Sequence, residues 1–239
     1  MVSMDDTAQV IEQALANWKA SLYPKLELGG LYARNPTAHK WKAPFRSLML
    51  RESVFWRLHD LLMQSHTLFH AGHVLGARIL LRSAFETLAI LIHLNQMMAT
   101  VLDGTLNFHT FSDKTSQLLL GSKDQSTKHA AINLVTILGH CEKRCPGLVK
   151  LYGDLSESAH PNYEGICVGY STVDHDNRVT NFANRWYEMY GGTHLMGMRA
   201  CMVLFEAEYN EVWPTRFDGL ERWIEANDTV LEATKGPAS

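Results

Sequence analysis

The stretch Val74–Leu94, VLGARILLRSAFETLAILIHL, decides how the rest of the chain is read. At about 100° per residue, Leu80, Leu81, Ala84, Phe85, Leu88, Leu91, Ile92 and Leu94 cover most of a helical circumference. Arg78, Arg82, Glu86 and His93 fall together in one narrow sector. A helix that is apolar nearly all round is a buried helix. The charged stripe then faces an interior groove or a subunit interface, unless it is the solvent side of a thickly packed helix. Arg82 and Glu86, four apart, are neighbours on that stripe, in the weaker of the two orientations for an intrahelical pair.

Around this segment the pattern stays helical. Asp5 and Asp6 can cap a first helix to about Ala20, and Tyr23–Lys42 reads as an arm broken by Gly29-Gly30 and Asn35-Pro36. Helices are expected over 45–65, 73–100, 107–120, 127–143 and 148–160. Pro161 disfavours helical geometry at His160. From Ile166 to Val173 the chain turns extended, Asp174–Asn177 supplies turn chemistry, and Arg178–Phe182 can return as a second strand. A helix then runs over 184–212, Pro214 interrupts it, and Phe217–Ala233 precedes a frayed tail over 235–239.

The expected class is all-α: a single-domain helical bundle with one β-hairpin insertion at about 166–182. Its parts are an N-terminal helix and arm (1–42), a helical core (43–160), the hairpin segment (161–183) and C-terminal helices (184–239). At 239 residues, with 46% hydrophobic and 20% charged, the chain can bury a full-sized core. A formal net charge of -3 gives no global pull toward nucleic acid or anionic membrane, so a phosphate-binding surface would have to be local. No run approaches the ~20 apolar residues of a membrane span, and the N-terminus lacks a secretory pattern. Cys141, Cys145, Cys167 and Cys201 read as reduced thiols, which suits a cytoplasmic protein.

Two segments carry a resemblance. Gly76–Glu86, with the pattern A-x-x-L-x-R-S-x-x-E, and Leu155-Ser156 through His160-Pro161-Asn162 resemble the signatures of uncharacterised bacterial bundle proteins allied to the HEPN superfamily. The resemblance implies a helical bundle and a homodimer. Characterised HEPN members are often metal-independent ribonucleases whose Arg and His stand four to six residues apart, while others have lost catalysis and bind nucleotides or partners. No arginine precedes His160 at that spacing. The sole match is Arg34–His39, where Pro36 argues against the helical context.

The composite site then consists of Arg82, Glu86 and His160 as catalytic candidates, with Arg78, His93 and Asn162 as ligand-binding candidates. An imidazole with a pKa near ~6.5 can take a proton from a ribose 2'-hydroxyl, and a guanidinium can stabilise charge on phosphorus. RNA, a nucleotide or a protein partner would be bound, with no cofactor. The alternative is a non-catalytic ligand-sensing or protein-interaction module in which the same residues form a structural network. His66, His70 and His73 could hold a metal on a continuous helix, but Gly72 predicts a turn that breaks the geometry. The aromatics Trp186, Tyr187, Tyr190, Trp213, Phe217 and Trp223 suit core or interface packing better than a base-stacking platform, because acidic residues are interleaved with them. The hairpin is expected to cover the site beside His160 or to pair across a dimer.

Overall fold

Asparagine, glycine and proline set the helix limits in the computed structural model, which describes residues 4–235. α1 (Met4–Ser21) places Asp5 and Asp6 inside its first turn rather than before it. Where an irregular arm is expected, the chain forms α2 (Leu28–Arg34) and α3 (Pro36–His39). Gly29 and Gly30 do not break α2. Asn35 does, at φ −147°, and its side chain accepts the Ala38 N–H at 2.9 Å to start α3. Pro36 follows at the first turn of α3, where its missing N–H leaves nothing unsatisfied.

α4 (Lys42–His70) and α5 (Val74–Leu102) are joined by a turn that the sequence places correctly. Gly72 adopts φ +79°, the His73 N–H bonds to the Leu68 carbonyl at 2.8 Å and the Gly72 N–H to that of Phe69 at 3.0 Å. This pair of reversed bonds closes the end of α4 and needs a residue tolerant of left-handed backbone. α6 (Phe108–Leu120) is capped by Asn107, whose side chain takes the N–H groups of His109 and Thr110. α7 (Leu134–Cys141) is shorter than the expected 127–143. Thr127 bonds to the Leu120 carbonyl through its hydroxyl at 2.5 Å. Ser122 and Ala130 form a bridge, and the Asn133 side chain takes the Val135 N–H at 2.9 Å. These short polar side chains hold the backbone in loop geometry until Asn133.

α8 (Leu148–Ala159) begins behind Gly147, at φ +93°, while Glu142 accepts the Gly147 and Val149 N–H groups at 2.8 Å each. It ends at His160, which is extended (φ −91°, ψ 146°) as Pro161 requires. The expected strand from Ile166 starts later. Residues Tyr163–Val168 form a π-helical segment instead, because the Asn162 side chain takes the Gly165 N–H at 3.0 Å. Gly165 also packs so closely on the His160 carbonyl that a Cβ would lie 2.0 Å from its oxygen. The hairpin is therefore β1 (Ser171–Asp174) and β2 (Val179–Phe182), antiparallel, with Ser171 opposite Phe182. Asp174 closes its turn on the Asn177 N–H at 3.0 Å.

Pro214 does not interrupt the C-terminal helix. α9 (Trp186–Glu206) passes through a π-helical segment, Ala207–Val212, into α10 (Trp213–Ala233). The wide turn carries the Trp213 N–H to the Glu208 carbonyl and makes room for the proline ring and its missing donor. The tail residues 236–239 lie outside the described part. The chain is thus an all-α helical fold with one small hairpin, and among the described residues no helix is long and apolar enough to cross a membrane.

The chain divides into two compact units. The first takes residues up to Leu22, Trp56–Leu88 and Glu142–Leu204; the second takes Tyr23–Phe55, Ala89–Cys141 and Phe205 onward. In the first, Leu15, Leu58, Leu62, Leu81, Phe85, Leu88 and Trp186 are buried. Each such side chain contributes roughly 1.5–3 kcal/mol on burial. Gly197 of α9 lets that helix approach Leu81 of α5, where even a Cβ would stand 3.1 Å from the leucine. In the second, Phe55 packs on Phe205 and Tyr209 at 5.1 and 4.9 Å between centroids, and the Arg51 guanidinium lies 3.4 Å over the Tyr209 ring.

Candidate functional site: a cleft beside Arg78

Within the first unit, α8 presents two pairs of polar groups to the α5 stripe, each pair four residues apart and so on one helical face. Ser156 and Tyr152 meet Arg82. Its Nε donates to Ser156 Oγ at 3.0 Å and its Nη2 to the Tyr152 hydroxyl at 2.6 Å. That hydroxyl donates in turn to Glu86 Oε1 at 3.0 Å, and Arg82 closes the ring on Glu86 at 3.2 Å. The Arg82–Glu86 pair predicted from spacing is therefore real, half-buried, and committed to holding α8.

Ser158 and the Asp154 carbonyl meet Arg78. Arg78 Nε donates to Ser158 Oγ at 2.8 Å and Nη2 to the Asp154 carbonyl at 3.0 Å. The Tyr190 ring covers the guanidinium at 3.5 Å, a contact that favours a desolvated cation. The Ser158 hydroxyl donates in turn to Glu164 Oε1 at 2.8 Å. Arg78 is only 5% exposed, and burial lowers its pKa from the usual arginine value, although arginine stays charged in proteins.

A cleft of about 450 Å³ opens beside Arg78, within the range of small-molecule sites. Its apolar wall includes Leu81, Phe85, Leu155 and Met196, and its polar wall includes Glu164, Tyr190 and His194. Burial, followed by the hydrogen bond to Glu164, pushes the Tyr190 phenol up to about 12. Burial, then the charges of Arg78 and His66, lowers His194 to about 4. The His194 ring stacks on Phe69 at 4.9 Å and its Nε2 meets Ser65 Oγ at 3.1 Å. Because the Ser65 hydroxyl gives its proton to the Ala77 carbonyl at 2.8 Å, Nε2 carries the imidazole proton and Nδ1 is left as an acceptor. That Nδ1 is buried without a partner.

The remaining predicted residues lie elsewhere. His160 is exposed at the end of α8; its ring is no part of the Arg82–Glu86 network and does not line the cleft. Asn162 is occupied at both ends, by Gly165 and by Glu157 Oε2 at 2.5 Å. His93 belongs to the second unit, where it stacks on His140 at 5.3 Å; burial and then the His140 charge lower it to about 4. His66 and His70 touch through their Nε2 atoms at 3.0 Å, whereas His73 lies beyond the Gly72 turn. Among the described residues no group of three His, Cys, Asp or Glu is placed to hold a metal. The one Arg–His match at the HEPN spacing converges on Glu221, which takes both Arg34 and His39 Nε2, the latter at 2.6 Å. No disulfide joins Cys141, Cys145, Cys167 or Cys201.

Sequence reasoning missed Tyr152, Glu164, Tyr190 and His194. The one available signal was the four-residue spacing of Tyr190 and His194, which puts both on one face of α9. No family model, no curated protein and no solved structure matches this chain.

Proposed function

We propose that the chain is a non-catalytic binding module whose cleft beside Arg78 receives a small organic ligand. One observation carries the reading: the roughly 450 Å³ cleft joins an apolar wall to a polar wall that holds a buried imidazole with an unpartnered nitrogen. The engagement of Arg82 and Glu86 with Tyr152 and Ser156 supports it further, since those bonds give the pair a structural role in holding α8. The resemblance to HEPN-allied bundles is compatible with it, because that group includes binders that do not cut.

Two measurements test the reading. Nile red, a neutral apolar dye, is expected to brighten on the wild-type protein and not on Ala200→Trp, whose indole fills the cleft. Labelled single-stranded RNA is expected to remain intact with the wild type in the presence of a chelator. Cleavage that disappears in His160→Ala would replace this reading with the ribonuclease one. A homodimer joined through the hairpin is the quaternary part of the proposal. It is supported by the 81% exposure of Phe182 and 56% exposure of Val173, and sedimentation of Phe182→Asp as a monomer checks it.

A further inference from the structure

We infer that the cleft beside Arg78 selects an amphipathic organic amine, with its ammonium group at the Glu164–Tyr190 end and its apolar body against Leu81, Phe85 and Met196. The inference rests on the ligand-binding reading above and names the ligand's chemical class.

The hydrogen-bonding inventory of the walls is the first argument. Arg78 is fixed in the wall: it gives its Nε hydrogen to Ser158 and one Nη2 hydrogen to the Asp154 carbonyl, and Tyr190 covers its face. Acceptors remain. Glu164 receives the Ser158 hydroxyl at Oε1 and the Tyr190 phenol as well, and a carboxylate offers about four lone-pair sites, so about two stay open. His194 Nδ1 is an acceptor with no partner in a residue only 1% exposed. An acceptor-rich wall is complemented by a ligand rich in N–H donors.

Charge is the second argument. The walls carry Arg78 against Asp154, Glu157 and Glu164. Lys150 neutralises Asp154 at 2.8 Å, which leaves one cation facing two carboxylates. A phosphate or carboxylate ligand would meet net repulsion, whereas an ammonium would meet net attraction. The buried cation does not reverse this, because Ser158, Asp154 and Tyr190 enclose it.

Competition with bound Nile red tests the class, using three probes of one chain length: octylamine, octan-1-ol and octanoate, at neutral pH. Octylamine is expected to displace the dye at about tenfold lower concentration than octanol, with octanoate the weakest. Glu164→Gln, whose amide oxygen can still accept from Ser158, should bring octylamine to the octanol value measured on the same variant. The exposed Glu157→Gln serves the same purpose, with a smaller shift, if Glu164→Gln does not fold. Octanoate equal to or tighter than octylamine, or an amine preference that survives both variants, overturns the amine assignment and leaves the cleft standing. Failure of all three probes to displace the dye, or displacement unchanged in Ala200→Trp, overturns the cleft reading itself.

Discussion

Replacing His194 with glutamine is expected to remove a defined part of the protein's acid sensitivity. Burial holds this imidazole neutral, with its pKa lowered from 6.5 to about 4. In the unfolded chain the ring protonates as pH falls through ~6.5, whereas in the folded chain it resists until about 4, so the unfolded state binds more protons across that window. Its contribution to stability is therefore present above the unfolded value and is lost as pH falls. Integrating between pH 7 and pH 5, at 1.36 kcal/mol per unit, gives a loss of about 2 kcal/mol from this residue. His194 is almost wholly buried, so solvent screening takes little from that figure. Glutamine can still donate to Ser65 but does not titrate. Urea unfolding followed by circular dichroism at pH 7 and pH 5 should show the variant losing about 2 kcal/mol less than the wild type. His93, lowered to about 4 in the second unit, titrates in both proteins and cancels from the comparison. Equal losses in the two proteins would mean that His194 is hydrated or already charged in the fold, and the acceptor assigned to its Nδ1 would go with it.

Arg78→Met keeps the aliphatic stem but leaves Ser158, the Asp154 carbonyl and Glu164 without their cation; a loss of about 3 kcal/mol at pH 7 is expected from the urea midpoint. Gly165→Ala brings a Cβ to 2.0 Å from a backbone oxygen, so a loss of about 2 kcal/mol or more is expected in thermal unfolding. Gly29→Ala is its counterpart: helical, exposed and with nothing within 4 Å, it should gain about 0.5–1 kcal/mol in the same assay. A double-mutant cycle on Arg82→Met and Tyr152→Phe should return a coupling of only about 0.5–1 kcal/mol, because their hydrogen bond is only partly buried.

The central helix was legible because everything that defines it is local. Its apolar circumference, the left-handed Gly72 before it and the four-residue ladder of Arg78, Arg82 and Glu86 can all be counted along the chain. The different fates of those side chains were not legible. Arg78 is buried under Tyr190 while Arg82 is held half-buried by Tyr152, and both partners arrive from distant helices. The cleft failed to show for the same reason: Glu164, Tyr190 and His194 come from segments in which each looks ordinary. The strand expected from Ile166 failed because its β-branched pattern was outweighed by one cap, Asn162, and one close approach, that of Gly165 to the His160 carbonyl. Over 127–133 the helical pattern lost to hydroxyl and amide side chains that bond to their own backbone.

Three of the five divisions between the two units fall inside α4, α5 and α9, and each unit is assembled from three separated pieces of chain. This has a consequence for biosynthesis. The first unit cannot be completed until residues near Leu204 have been made, and the second waits for α10. While Leu81 and Phe85 are already outside the ribosome, the α9 segment that covers them is more than a hundred residues behind in the chain. The nascent protein therefore carries this face of α5 without its α9 cover for several seconds or more at ordinary synthesis rates of ~5–20 residues per second. No cut at a single loop can release either unit intact, and a truncated product will expose the same helix to chaperones and proteases.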